Sequence, residues 1–181
     1  TGNERENTLF NVGYQFGRVD SVSRLNAVIG QSTNEYTTNR AITFTKDYER
    51  SFVNLDVDYL VSGKSYLTSI LEHEDVDYTN DKELSREASS ALMGIKWHAT
   101  DISLVSILLG YEKVEFDETL FEGSDNFVWR ANFNWQPIDE VSIGFTSSRR
   151  TEESQELLKS YQLTDNYGVN ASYRISDYTR L

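Results

Sequence analysis

Histidine is the side chain most often found as a general base or a metal ligand, so the two imidazoles are tested first. His73 and His98 fall on different strand-like segments, near opposite ends of them. That placement gives neither a His-His metal spacing nor a Ser-His-Asp set. His73 has the carboxylates of Glu72, Glu74, Asp75 and Asp77 around it, and it alone could serve a protease or phospholipase. A solvated acidic strand end is the plainer reading, preferred over catalysis or a calcium site. The absence of Cys excludes disulfides and thiolate metal centres. Neither an enzyme nor a cofactor or metal is therefore expected.

The remaining candidates only make sense on the elements that carry them. In "FVWRANFNW", Phe127, Trp129, Ala131, Phe133 and Trp135 alternate with Arg130, Asn132 and Asn134. A period of two places apolar residues on one face of a strand and polar residues on the other. The same pattern recurs over 10–16, 53–59, 91–97, 141–146 and 167–175, more weakly over 25–29 and 105–111, and least regularly over 65–77. Nine such segments of about ten residues result, and no helical period competes with them beyond a weak one in "EESQELLKSY".

The connections alternate in length. Short ones lie near 18–22, 62–64, 99–101, 137–140 and 176–178, and long ones near 32–50, 77–88, 116–125 and 149–165. This predicts an up-and-down meander with tight turns at one end and long loops at the other. Tyr59, Trp97, Trp135 and Tyr173 are each 38 residues apart, each on the apolar face and each just before a short turn; Phe16 takes the same place in the first strand. Aromatic rings at one level are what a membrane interface selects. Tyr78, Tyr111, Phe127, Trp129 and Tyr167 are expected to form a second belt near the long loops.

A soluble sandwich also alternates, but its exposed face carries Lys and Glu. Here the polar face is mostly Asn, Ser, Thr, Gly and Gln, which suits a hydrated lumen. Only 38% of the 181 residues are hydrophobic, while 13% are aromatic, and mean hydropathy is -0.54. No apolar run is long enough for a transmembrane helix, and "TGNERENTLF" is no signal peptide, so an exported protein has had its signal removed. A net charge of -12 argues against nucleic acid as a partner. Much of that excess lies loop-side: 72–87 holds seven acids against Lys82 and Arg86, and 112–125 six against Lys113.

The expected fold is therefore all-β: an antiparallel up-and-down transmembrane β-barrel, one domain over 1–181, with nine to ten strands in this chain. Because "SDYTRL" starts what reads as a tenth strand, the chain is expected to be part of a larger barrel, with a closed ten-strand barrel as the alternative. "WHATDISLVSILLGYEKVEFD" (97–117) and "FVWRANFNWQPIDEVSIGFTSSRRTEES" (127–154) resemble the outer-membrane β-barrels encoded with bacterial exopolysaccharide biosynthesis and export systems. The likeness rests on a Trp-x-Ala-Thr turn before a Leu-Gly-Tyr strand, and on a Trp-x-Pro turn before a strand ending in Ser-Arg and Glu-Ser. It covers roughly 60–181. It implies a larger barrel in the outer membrane of a Gram-negative bacterium, associated with secretion of a polysaccharide, with lipid, polysaccharide and secretion-system components as partners.

Two functions follow as expectations. In a porin-like conduit, lumen-facing Asn54, Asp56, Asp58, Lys96, Glu112, Arg130, Asn132, Asn134, Asn170 and Arg174 would contact polysaccharide or ions, with Arg130 paired to a neighbouring carboxylate such as Glu112. In a closed structural or adhesive barrel, the same charges would plug the interior and the acidic loops would face outward.

Overall fold

Period-two alternation draws almost the whole chain into strands. The computed structural model describes residues 3–18, 21–100, 102–117, 123–153, 161–176 and 179–180. Its strands are β1 (Arg5–Phe16), β2 (Ser23–Tyr36), β3 (Tyr48–Ser62), β4 (Ser65–Tyr78), β5 (Arg86–Thr100), β6 (Ser103–Phe116), β7 (Ser124–Ile138), β8 (Val141–Glu153), β9 (Tyr161–Ser176) and the two-residue β10 (Thr179–Arg180). They form one antiparallel sheet in chain order, each strand paired with the next. Among the described residues the two ends of the sheet are not paired with each other.

The meander and the alternation of tight turns with long loops agree with the sequence reading. The strands are longer than expected, at 12–16 residues for β1 to β9, because they run on into segments read as loops. Residues 32–36 and 48–50 belong to β2 and β3, and 149–153 to β8. Position 101 and segments 118–122, 154–160 and 177–178, which hold parts of the expected turns and loops and most of the weakly helical stretch, lie outside the described residues.

The hydrogen-bond register defines the tilt. The row through Phe16 reaches Val57, two residues short of Tyr59. The row through Tyr59 stops at Ile95, two short of Trp97. The row through Trp97 stops at Phe133, two short of Trp135, and that through Trp135 stops at Ala171, two short of Tyr173. The aromatic line thus climbs one residue per strand. With a rise of about 3.3 Å per residue and a spacing of about 4.8 Å, strands tilted by about 35° put all five rings at one height.

The sheet is also curled. The row through Glu72 crosses β7 at Asn126, four residues from Arg130, which places the two Cα atoms about 19 Å apart along the sheet surface. Extended Arg and Glu side chains with a hydrogen bond between them span only about 15 Å. Arg130 nevertheless meets Glu72, so the face between them must be concave. Gly94 and Gly110 permit close strand approach in the middle of this curl. A Cβ on Gly94 would fall on the Ile107 carbonyl oxygen, and one on Gly110 on the Ala91 carbonyl oxygen.

At the long-loop end, residues 37–47 form a built lid with a short helix α1 (Arg40–Thr43) and a 3-10 turn (Phe44–Lys46). Asp47 accepts the Tyr36 N–H at 2.8 Å and is paired with Arg40. Thr79 N–H donates to the Asp47 carbonyl at 3.0 Å and the Asn80 amide to the Phe44 carbonyl at 2.8 Å, which ties the lid to the β4–β5 loop. Burial alone would raise the Asp47 carboxyl, but the Tyr36 N–H and the Arg40 guanidinium outweigh it and hold it below the usual aspartate range.

Two outcomes follow. Gly110→Val should lower the urea midpoint of the folded chain by the equivalent of about 1–3 kcal/mol, as overpacking does; a wild-type midpoint would contradict the close approach. A carboxyl depressed on folding stabilises above its unfolded pKa, near 3.9, and loses that contribution as pH falls through the lower folded value. The protection factor of the Tyr36 amide, the intrinsic exchange rate at each pH divided by the observed one, should therefore hold above about pH 4 and fall below it, and Asp47→Ala should lower it throughout.

Candidate functional site

The register sorts side chains into two faces. On the convex face, the zone from the Phe16–Tyr173 belt to a second level at Phe10, Val53, Trp129 and Tyr167 spans six residues along each strand. Corrected for tilt, this is about 16 Å between Cα levels, and the rings broaden it toward the roughly 25 Å apolar band of an outer-membrane barrel. Every outward side chain within it is apolar except Ser69 and Ser147, and Ser147 accepts the Trp129 indole N–H at 3.1 Å. Outward charges begin only beyond it, with His73, Arg149, Asp165, Asp75 and Lys113 on the long-loop side. The belt residues Phe16, Tyr59, Trp97, Trp135 and Tyr173 are exposed by 39–58%.

The second belt needs one correction. Tyr111 and Phe127 are outward and stack edge to face at 5.7 Å, and Trp129 and Tyr167 join them at that level. Tyr78 instead lies on the concave face, 6% exposed, with its ring 5.5 Å from that of Tyr48. The irregular alternation of β4 hides this parity.

The concave face carries two tiers of charge. Near the short-turn belt, Asp58 is 7% exposed. It accepts from Arg24 Nη2 at 2.6 Å, from Thr68 Oγ1 at 2.5 Å and from Lys96 Nζ at 3.2 Å, while the Arg24 guanidinium lies 4.2 Å over the Tyr66 ring. Near the second belt, Arg130 holds Glu72 bidentately at 2.8 and 2.5 Å, and Ser90 donates to the same carboxylate at 3.0 Å. Beside them Arg50 Nε donates to Glu74 at 2.8 Å. Leu92, Leu108 and Val128, buried, with Ile70 packed against them, lie on the strands that the Glu72–Arg130 pair crosses.

All ten residues read from the sequence as inward share this concave face, but they do not act together. Asp58 and Lys96 share an ion pair, and Asp56, half-buried beside them, has one buried carboxylate oxygen without a protein partner. The expected Arg130–Glu112 pair is not formed: Glu112 accepts the Thr151 N–H at 2.8 Å, and Glu72, three strands away, is the partner. The curl brings β4 to β7 over β5 and β6, a juxtaposition that nearest-strand reasoning excludes. Asn132 and Asn134 are exposed farther along β7 toward its short turn, and the Asn170 amide of β9 lies over Gly144 of β8. The half-buried Arg174 donates its backbone N–H to the Glu140 carbonyl at 2.8 Å.

Arg24, Arg50, Tyr66, Thr68, Glu72 and Glu74 were missed by sequence reasoning. Their shared parity with Asp58 and Arg130 was the available signal, obscured in β4 because Ser69 and His73 interrupt its outward apolar row. The inward Leu92, Leu108 and Val128 were equally unforeseen, though each is the middle of three consecutive apolar residues. Among the described residues, no group of three His, Asp or Glu could hold a metal ion. The chain matches no family model, and no curated protein is significantly similar to it.

Removing one partner of the Arg130–Glu72 pair should cost about 1–3 kcal/mol, between the values for exposed and buried pairs, because the side chains are 39% and 31% exposed. Arg130→Met and Glu72→Met should each lower the urea midpoint of the refolded chain, and the double variant should recover much of the loss. Strict additivity would show that the two groups do not interact.

Proposed function

We propose that the sheet closes in the outer membrane of a Gram-negative bacterium as a porin-like β-barrel that takes part in exopolysaccharide export. The observation that carries this reading is the charge-free convex zone bounded by the Phe16–Tyr173 belt on one side and by the level of Phe10, Trp129 and Tyr167 on the other, which become horizontal at a strand tilt of about 35°. Lipid supplies no hydrogen bonds, so the free edge of β1 must find a partner there, and closure provides one. Lipid is then the partner of the convex face. The concave face offers amides, hydroxyls and paired charges to a hydroxyl-rich polymer, and the resemblance of 97–117 and 127–154 to export-associated barrels supplies the cargo and the secretion-system partners.

A second reading, a closed structural barrel without passage, is favoured by the Glu72–Arg130 strap and the buried Leu92–Leu108–Val128 cluster. The tests separate the two. After refolding into bilayers, lipid-phase quenchers should reach Trp97, Trp129 and Trp135; quenching by aqueous iodide alone would sink the membrane assignment. Ala131→Arg puts a charge on the lipid face, at a cost of about 2–4 kcal/mol near the midplane, and should abolish heat-modifiable gel mobility, whereas Asn132→Lys on the concave face should keep it. Stepwise conductance in planar bilayers that larger neutral polymers suppress supports the conduit. An inserted barrel with no conductance supports the structural reading.

A further inference from the structure

A concave recess of about 410 Å³ opens on the long-loop side of the Glu72–Arg130 strap. Its polar lining comes chiefly from Arg50, Glu72, Glu74, Glu112, Arg130 and Arg150. Resting on the export reading above, we infer that this recess binds an uncharged stretch of saccharide chain at the mouth of the barrel.

Charge matching argues for a neutral ligand. Arg50 is paired with Glu74, Arg130 with Glu72, and Arg150 with Glu152. Glu112 already accepts the Thr151 N–H. Four arginines and four glutamates line the recess, so it offers a free ion no net charge, and an ion that took a partner from one of these pairs would gain little. The acidic stretches 72–87 and 112–125 beside the mouth disfavour an anionic polymer further.

Hydrogen-bond capacity points the same way. A guanidinium has five N–H donors and a carboxylate has about four lone-pair sites, so pairing to each other leaves both able to meet hydroxyls. Adjacent sugar hydroxyls both donate and accept, and planar forked groups engage two at once. The volume falls within the range of small-ligand sites. On its inner side the recess is bounded by the strap itself, since Glu72 and Arg130 both line it.

The test is calorimetric titration of the detergent-refolded chain with a linear dextran oligosaccharide and, in parallel, with an oligogalacturonate of equal length. Heat-modifiable mobility reports the fold. Ala88 lines the recess without joining an ion pair, so Ala88→Trp fills the space and leaves the charges alone. Arg150→Gln removes an exposed donor group. Dextran should bind, added salt should not weaken it, and each variant should reduce affinity about tenfold, the loss expected for hydrogen bonds left unmade. If Ala88→Trp does not refold, Arg150→Gln decides by the same criterion. The inference is overturned if a heat-modifiable parent ignores dextran, if oligogalacturonate binds better, or if the refolded variants bind as the parent does. A parent that binds dextran without becoming heat-modifiable overturns the membrane reading and leaves the recess standing. A parent that does neither overturns both.

Discussion

Each hairpin of the sheet steps its hydrogen-bond register by two residues, and that step sets the positions of all the other groups. In the proposed barrel, a stagger of one residue per strand obliges the strands to tilt, and the tilt converts rings spaced 38 residues apart in the chain into a single level. It also brings Glu72 on β4 nearly level with Arg130 on β7. Without the stagger the aromatic residues would descend like a staircase, and the outward charges of β8 and β9 would fall inside the apolar zone instead of beyond it.

Curvature is the second consequence. A flat sheet cannot bring Arg130 to Glu72, and the two glycines at positions 94 and 110 let β5 and β6 approach closely between them. Leu108 lies opposite Gly94 and Leu92 opposite Gly110, so the space left by each missing side chain lies beside a large apolar one. The result is an asymmetric concave face. Ion pairs and a small apolar cluster fill the face from β3 to Arg130 of β7, while Asn132 and Asn134 farther along β7 and Asn170 on β9 stay exposed.

Removing one member of a partly buried ion pair leaves the other charge unpaired where it is costly to keep. The strap from Arg130 to Glu72 therefore ties β7 to β4 across β5 and β6. The lid at 37–47, held by Asp47, Arg40 and Tyr36 and tied to the β4–β5 loop, shapes the same end of the molecule.

The sequence by itself determined the strands, their order, the alternation of tight turns with long loops, and which side of each regular strand is apolar. These are local properties: parity follows from the pleat, and an up-and-down order follows from short connections. Phe16, Tyr59, Trp97, Trp135 and Tyr173 were legible as residues of one face for that reason, as were Asp58, Lys96 and Arg130 as residues of the other. Only the tertiary structure decided which inward groups meet. Partner choice depends on curl and stagger, which sum over several strands, so Arg130 passes over two strands to reach Glu72 while the nearer Glu112 is taken by the Thr151 N–H. The parity of Tyr78 and the inward turn of Leu92, Leu108 and Val128 were settled there too, because in β4 to β7 both faces carry apolar residues and alternation loses its meaning.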